Sequence, residues 1–533
     1  MIEKNHLKNK KLVLAIIILV GISLRFYKLD SQCLWYDETT KIASAKCQYT
    51  IKEFFQHADP KEVVYTLVLK IWMNIFGFNE FAVRSLSVLF GVLSIFFIYI
   101  LASELFSETV GLISSFLLSI SPFHIYYSQQ NLLYSLFLLL AILSTLIFVR
   151  VYNTNKKFLY LAYFIVNILL CYTHFFGLHI LLIHNACLFF FKKSDFFKKK
   201  WLIINALLII LVGFFIFAIL YMEPRPNQIG QLDWISKPNF GLIIDTLKAF
   251  TYGGEKLTMG GNGLEIGAGR LTIAKLLILI YALLLMKAGL SYKNFIVHKG
   301  TLGNSIPFKK QKIIFLFSWL VIPVLLTFVF SFLFFPIYVV RYLIIIIPAF
   351  FILLAIGILN IKGLKTKLFV FFLILIFNSQ ALFVYFHPIE TPSWREISSK
   401  IKEMVAPEDM LVFVPLEQIV SFAYYFFDRT DTSIWDIDRY GKKIDTKWKS
   451  FFRENDYIFA GVGLRNSPDD TINGHLFKIS ERKANKIFLI ASPYWPTLGL
   501  RFLAVRQYFL KGGWKEKGFF YPLPGVALLI YTK

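Results

Sequence analysis

Long apolar runs recur along this chain and are separated by short basic segments. A helix needs about 20 predominantly apolar residues to cross a bilayer, and the first such run extends from Leu12 to Leu29. Further runs follow at about 81–102, 109–127, 132–152, 158–174, 175–191, 201–221, 271–290, 313–335, 339–360 and 368–387. Because 57% of the 533 residues are hydrophobic and lipid offers the backbone no partners, the sequence predicts a polytopic α-helical membrane protein with about 11 transmembrane helices.

Lysines cluster in alternate connections between these runs, as the positive-inside rule requires of cytoplasmic loops. The clusters lie before the first run and near residues 156–157, 192–200, 293–312 and 362–367. This pattern explains much of the formal charge of +24 and leaves no continuous basic face for nucleic acid. The N-terminus is therefore predicted to be cytoplasmic, and the first run is predicted to be an uncleaved anchor.

The opposite, extracytoplasmic side then receives the loop 30–80, the turn from Pro122 to Asn131, the loop 222–270 and everything after His387. The apolar segment from Val63 to Phe78 is too short for a span. Counting it as one would also reverse every later basic loop, so we interpret it as a helix lying in the headgroup layer. The loop 222–270 is either an ordered cover for a substrate or simply a long connection.

The character of the sequence changes near Pro392. Apolar residues recur at helical spacing from Ser393 to Val405. Short β-type runs follow at Met410–Val414, Tyr457–Val462, Lys486–Ala491 and Val526–Tyr531. We expect a transmembrane domain over 1–390 and a small extracytoplasmic α/β domain over 391–533.

Two adjacent acids, Asp37 and Glu38, lie just beyond the first run and follow the aromatic residues Trp35 and Tyr36. Acids in an outer loop are commonly only solvated. A carboxylate in a partly dehydrated site near the membrane surface can instead act as a general base toward a hydroxyl group.

Other polar groups fall at predicted outer ends of spans. Amides at Gln129 and Gln130 and the imidazole of His174 either bind a sugar or satisfy helix ends. Arg341 and Arg84, at headgroup depth, are either nonspecific lipid anchors or specific phosphate ligands.

Redox and metal signals are weak. Cys33 and Cys47 share the first outer loop and are close enough in sequence for a disulfide, which stays open. The outer histidines His57, His124 and His174 lack metal-ligand spacing, so no metal site is predicted. The chain has no nucleotide-binding or zinc-protease motif, so energy must come from an activated substrate or a gradient.

Five stretches, in this order and spacing, resemble the GT-C superfold of membrane glycosyltransferases. The similarity is to the bacterial branch related to protein O-mannosyltransferases and to the lipid A aminoarabinose transferase. The stretches are Arg25 to Glu38, Phe76 to Gly91, Ser121 to Gln129, Thr173 to Gly177 and Arg341 to Leu343. The resemblance covers about residues 12–390, and its specificity lies in the combination of stretches.

The resemblance implies that a sugar moves from a polyprenyl-phosphate donor to an acceptor hydroxyl on the extracytoplasmic face, with inversion. It assigns Asp37 as the general base with Glu38 beside it, and it assigns Arg341 and Arg84 to the departing phosphate. The interfacial helix would line lateral access for the donor. Substrate contacts are expected from Tyr65, Gln129, Gln130, Tyr134, His174 and Tyr342.

Two departures from the family pattern matter. Relatives open the interfacial helix with His-Pro-Pro-Leu-Tyr, and this chain keeps only Tyr65 of that run. Relatives also carry an acid where this chain has Gln130. A second acid's role, and any divalent cation that it would hold, are therefore open, with His57, Asp59 and Glu62 as substitutes.

The sequence thus favours a glycosyltransferase of a bacterial inner or plasma membrane, with membrane lipid and a glycan, lipid or protein acceptor as partners. Two alternatives remain: a transporter or flippase of lipid-linked glycans, or a catalytically weakened binding protein of the same fold. The sugar, the polyprenol length, the acceptor and the oligomeric state are not specified by the sequence.

Overall fold

The structure is a computed structural model. It describes residues 2–46, 62–190, 195–222, 235, 237–252, 268–290, 309–387, 394–406, 409–414, 418–426, 458–461, 485–491, 505–520 and 527–532. His57, Asp59 and Cys47 lie outside these residues.

Helices make up the whole of the described chain as far as residue 387, apart from short connections. They are α1 (Ile2–Phe26), α2 (Tyr36–Lys46), α3 (Val63–Phe76), α4 (Glu80–Leu105), α5 (Glu108–Ser119), α6 (Pro122–Ser128), α7 (Tyr134–Thr154), α8 (Lys157–Thr173), α9 (Gly177–Phe190), α10 (Asp195–Met222), α11 (Phe240–Tyr252), α12 (Ala268–Leu290), α13 (Lys309–Leu333), a 3-10 helix (Val340–Ile346), α14 (Ile347–Leu359) and α15 (Leu364–Phe386). The predicted helical membrane architecture is confirmed.

Five helical segments of the described residues are long and apolar enough to cross a bilayer. They are Glu80–Leu105, Tyr134–Thr154, Gln311–Leu333, Val340–Leu359 and Leu364–Phe386. A sixth is the pair α5 and α6, which is bent by 63°, so the predicted span 109–127 is broken. The other predicted spans coincide with α1, α8, α9, α10 and α12, and the count of eleven stays a prediction.

Helix α3 has the amphipathic form expected of a helix at a membrane surface. Its 14 residues extend about 21 Å, which is shorter than a bilayer core of about 30 Å. One face, with Tyr65 and Leu69, is buried in the protein, while Ile71 and Ile75 on the other are 63% and 67% exposed. The length and the two faces fit the interfacial helix predicted from the sequence.

Helices α12 and α14 pack closely against each other. Gly357 of α14 lies so near to α12 that a Cβ atom there would come within 2.3 Å of the Leu284 carbonyl oxygen. Small residues of this kind let helix backbones approach in membranes.

Within the long loop 222–270, the structure adds α11, whose Thr246 hydroxyl lies 2.8 Å from the Tyr338 hydroxyl.

The C-terminal elements form a five-stranded mixed sheet with helices. They are α16 (Trp394–Met404), β1 (Met410–Val414), α17 (Ile419–Phe426), β2 (Ile458–Gly461), β3 (Lys486–Ala491), β4 (Lys515–Phe520) and β5 (Ala527–Thr532). The strand order is β2-β1-β3-β5-β4, with β1 parallel to β2 and β3, and β5 antiparallel to β3 and β4. The predicted helix and four predicted strands are confirmed, and β4 is an addition.

This C-terminal sheet unit shares one hydrophobic core with the helical bundle. Trp394 and Ile397 of α16 and Phe413 of β1 belong to the same cluster of buried residues as Leu34 and Tyr65. The core therefore continues from the bundle into the sheet unit.

Candidate active site

The acid pair lies in the first turn of α2, and backbone hydrogen bonds to Trp35 begin this helix. The Trp35 carbonyl oxygen accepts hydrogen bonds from the backbone N–H groups of Glu38 and Thr39 at 3.0 Å each, and the Thr39 hydroxyl donates to the Tyr36 carbonyl at 3.0 Å. Asp37 and Glu38 thus lie in the first turn of the helix, where the helix dipole stabilises negative charge.

The two acids have different surroundings. Glu38 is fully buried, and its two carboxylate oxygens accept hydrogen bonds from Nε and Nη2 of Arg84, both at 2.8 Å. The backbone N–H of Asn131 donates to the same carboxylate at 2.8 Å. A buried bidentate pair of this kind is rigid and specific in orientation, so Glu38 is held in one position.

Arg84 also fastens the loop between α1 and α2. Beyond its two bonds to Glu38, it donates to the carbonyl oxygens of Leu29 at 2.9 Å, Gln32 at 2.7 Å and Cys33 at 3.2 Å. A guanidinium has five N–H donors, and these contacts use all five. No N–H donor of Arg84 is left for a phosphate in this arrangement. Its role as a phosphate ligand stays a prediction, and these contacts speak against it.

Tyr65 of α3 joins the same network through Asn131. The Tyr65 hydroxyl donates to Asn131 Oδ1 at 2.9 Å and lies 3.2 Å from the Ser87 hydroxyl, while Asn131 Nδ2 donates to the Glu38 carbonyl at 3.2 Å. Burial raises the pKa of the Tyr65 phenol, so it remains a donor. Tyr65 thereby links the interfacial helix to the helix that carries the acids.

The two glutamines that follow α6 bond to the protein. Gln129 donates to the backbone carbonyls of Arg25 and Tyr27 at the end of α1, both at 2.9 Å. The Gln130 side-chain oxygen accepts from the indole N–H of Trp35 at 2.6 Å. The glutamine turn therefore holds the loop that leads to α2.

Asp37 differs from Glu38 because its side chain is only partly buried, and its carboxylate has no hydrogen bond to another residue in the described part of the chain. Asp37, Glu62 and Arg341 all lie within electrostatic range of the Tyr134 phenol. Asp37 lies on α2, Glu62 immediately precedes α3, Tyr134 begins α7 and Arg341 lies on the 3-10 helix. The fold therefore brings two acids and a guanidinium from distant parts of the sequence near one phenol.

Aromatic rings line the same region. The rings of Tyr134 and Tyr342 are 6.4 Å apart and nearly parallel, and Tyr342 lies 4.6 Å from the His174 ring. The Arg341 guanidinium is 5.8 Å from the centre of the Tyr342 ring. The structure thus brings together Asp37, Tyr134, His174, Arg341 and Tyr342, all of which were predicted site residues.

Sequence reasoning missed Lys41. It follows Asp37 by four residues on α2, which puts both on one helix face, and its ammonium forms an ion pair with Glu62. The side chains are only 8% and 18% exposed. The i, i+4 spacing was the available signal, but the polar segment from Tyr36 to Lys46 carries no apolar period that would have predicted a helix.

Arg25 is a second residue whose role was missed. It is fully buried, and its guanidinium donates to the carbonyl oxygens of Leu118 and Ser119 at 3.1 and 3.0 Å and lies 2.8 Å from Nδ1 of His124. Those carbonyls end α5, where a cation is favourable. An arginine at the end of an apolar run was the available signal, and its effect is to fix the break between α5 and α6.

No group of three His, Cys, Asp or Glu side chains within the described residues is arranged to hold a metal ion. His124 and His174 are both buried among protein groups: His174 Nδ1 accepts from the Phe176 N–H at 3.2 Å. Cys33 is a free thiol in the structure.

Comparison with known proteins agrees with this architecture. Residues 59–219 match the family model described as dolichyl-phosphate-mannose-protein mannosyltransferase. The crystal structure of ArnT from Cupriavidus metallidurans bound to undecaprenyl phosphate superposes with a TM-score of 0.55 at 11% identity, covering 97% of each chain. AglB, the oligosaccharyltransferase of Archaeoglobus fulgidus, in complex with an inhibitory peptide and a dolichol-phosphate, superposes with a TM-score of 0.52 at 12% identity, covering 97% of this chain and 74% of AglB. No curated protein sequence matches.

The chain therefore has the fold of the GT-C membrane glycosyltransferases. Residues 59–219, the part that matches the protein mannosyltransferase model, carry Tyr65, Arg84, Tyr134 and His174. The resemblance found in the sequence, to O-mannosyltransferases and to the aminoarabinose transferase, is confirmed.

Proposed function

We propose that this protein transfers a sugar from a polyprenyl-phosphate donor to an acceptor hydroxyl on the extracytoplasmic face of a bacterial inner or plasma membrane. The observation that carries the proposal is the placement of a partly exposed Asp37 in the first turn of α2. It lies within electrostatic range of Tyr134, whose ring faces that of Tyr342 beside the Arg341 guanidinium. Structures of the same fold bear undecaprenyl phosphate or dolichol-phosphate, which supports a lipid-phosphate donor.

Asp37 is the proposed general base. Its carboxylate takes the proton of the acceptor hydroxyl while that oxygen bonds to the anomeric carbon of the sugar. The bond from the anomeric carbon to the phosphate oxygen breaks, and its electron pair leaves with the phosphate through an oxocarbenium-like state. A single displacement inverts the anomeric configuration.

Arg341 is the proposed ligand of the departing phosphate. Negative charge grows on that phosphate as the bond breaks, so a guanidinium already in place stabilises the transition state more than the ground state. The neighbouring rings of Tyr134, His174 and Tyr342 give the sugar an aromatic wall to lie against.

Glu38 and Arg84 have a different proposed task. Their buried pair ties the first loop, α2 and α4 together, so they position Asp37 and do not touch the substrate. Tyr65, Gln129 and Gln130 are assigned to the same support because their polar atoms bond to protein groups.

We assign the lysine clusters to the cytoplasmic side of the membrane, as the positive-inside rule favours. The Asp37 end of the bundle, the loop 222–270 and the unit from residue 391 to 533 then face outward. Transfer on that face draws the donor from the outer leaflet past α3.

A transporter of lipid-linked glycans remains the second candidate, because the 63° break between α5 and α6 is a feature that transporters share. At this break the Arg25 guanidinium donates to the backbone carbonyls of Leu118 and Ser119. These hydrogen bonds favour a bend that stays fixed over one that moves during transport. A transporter would move the lipid without cleaving it, and a binding protein would hold it without turnover.

The test measures release of undecaprenyl phosphate by the purified, reconstituted protein. The donors are synthetic undecaprenyl phosphates that carry mannose, glucose, galactose or 4-amino-4-deoxyarabinose, and membrane lipid extract supplies acceptors. We expect Asp37→Asn to abolish release with folding intact. The control is Glu104→Gln, a carboxylate-to-amide change in a partly exposed pair with Arg150. Full activity of Asp37→Asn would exclude Asp37 as the base.

A further inference from the structure

The helix that carries Asp37 rests on the C-terminal sheet unit. Helix α17 packs against α2, and α16 packs behind α17. With 11 residues, α2 is shorter than the roughly 12 to 15 residues at which an isolated helix becomes even marginally stable in water. Its position must therefore be set by its neighbours.

Two hydrogen bonds connect α17 to the start of α2. The Tyr425 hydroxyl accepts from the backbone N–H of Leu34 at 2.7 Å, and Leu34 is fully buried immediately before Trp35, whose carbonyl opens α2. The hydroxyls of Ser421 and Thr39 lie 3.1 Å apart, and both residues are fully buried. Because a buried N–H without a partner is costly, the Tyr425 hydroxyl stabilises the turn that precedes α2.

The same unit also holds the start of α4. The Tyr424 hydroxyl donates to the Phe78 carbonyl at 2.8 Å, and Arg395 of α16 donates to Glu80 at 2.9 Å. Glu80 begins the helix that presents Arg84 one turn later. The sheet unit therefore contacts both elements that the Glu38–Arg84 pair joins.

We propose that Ser421 and Tyr425 are positioning residues for the transfer reaction, and that the C-terminal unit braces the first turn of α2 so that Asp37 meets the acceptor hydroxyl. This proposal rests on the proposed function, since it requires Asp37 to be the base. Displacing a reacting group by about 1 Å can cost roughly 100-fold in rate, so a brace on this turn is sufficient to control activity.

The experiment compares the full-length double variant Ser421→Ala/Tyr425→Phe with Tyr531→Phe. Tyr531→Phe loses the hydrogen bond from the Tyr531 hydroxyl to Glu516 within the sheet. It therefore controls for the loss of a tyrosine hydroxyl from the same unit. Two quantities are measured: hydrogen exchange of backbone amides over residues 34–42, and kcat and KM for release of undecaprenyl phosphate from the best of the four synthetic donors.

We expect the backbone amides of residues 34–42 to exchange about 5 to 30 times faster in the double variant, because each lost hydrogen bond costs about 1 kcal/mol. We expect kcat to fall roughly 10- to 100-fold with KM for the donor unchanged, because the base moves and the donor site does not. Tyr531→Phe should match the wild-type protein in both measurements.

Unchanged exchange over residues 34–42 overturns the proposal, because the brace would then be absent. Faster exchange with an unchanged kcat also overturns it, because the position of α2 would not matter for transfer. A wild-type protein that releases nothing from any donor counts against the proposed function, and the positioning role then fails with it even if the exchange measurement shows α17 holding α2.

Discussion

Two of the arginine–glutamate pairs among the described residues, Arg84–Glu38 and Arg150–Glu104, share one hydrogen-bond geometry and differ in burial, so they test how the site is built. The Arg84 and Glu38 side chains are 3% and 0% exposed, while those of Arg150 and Glu104 are 43% and 31% exposed. Both arginines contact their carboxylate through Nε and Nη2. The matched perturbations are Glu38→Gln and Glu104→Gln.

Glu38→Gln leaves the Arg84 charge buried without its counter-charge. The glutamine NH2 group also faces donors, since Arg84 and the Asn131 N–H both point at the original carboxylate. Removing one partner of a buried pair costs about 3–5 kcal/mol. An exposed pair contributes about 0–1 kcal/mol, so Glu104→Gln should change the free energy of unfolding little.

The assay is reversible unfolding in mixed micelles titrated with SDS, together with the release of undecaprenyl phosphate. A cycle with Arg84→Gln and the double variant isolates the coupling between the two side chains. We expect a coupling several times larger than that measured for Arg150 and Glu104. Equal coupling energies in the two pairs would refute the argument that burial strengthens the Glu38–Arg84 pair and so stabilises the loop between α1 and α2.

Three further predictions concern other fixed points. Arg25→Lys removes at least two of five charge-assisted bonds, each worth about 1.5–3 kcal/mol, so unfolding should occur at clearly lower SDS; unchanged stability would contradict this role at the α5–α6 break. Gln130→Leu should cost about 1–3 kcal/mol by leaving the Trp35 indole N–H unpaired; wild-type stability of this variant would contradict the role of Gln130 in holding the loop before α2. Gly357→Ala puts a Cβ against the Leu284 carbonyl and should destabilise by about 1–3 kcal/mol; a neutral result would mean that α12 and α14 separate freely.

Several elements were predictable because their signal is local. Bilayer-length apolar runs give the helices, and β-branched and aromatic runs give β1, β2, β3 and β5. The strand β4 was missed because it alternates Lys515, Glu516 and Lys517 on the edge of the sheet, where charged residues are common and the apolar pattern is weak. Helix α2 was missed because its polar sequence depends on packing against α3 and α17 for its formation.

The sequence by itself determined the membrane class, the family resemblance and the candidate residues Asp37, Arg341, Tyr134, His174 and Tyr342. Only the tertiary structure separated the two acids. Asp37 and Glu38 are adjacent and chemically alike, but the first turn of α2 leaves one partly exposed and buries the other against Arg84, 46 residues away. Such roles depend on contacts between residues distant in sequence, and these contacts set burial and hydrogen bonding, which no local pattern encodes.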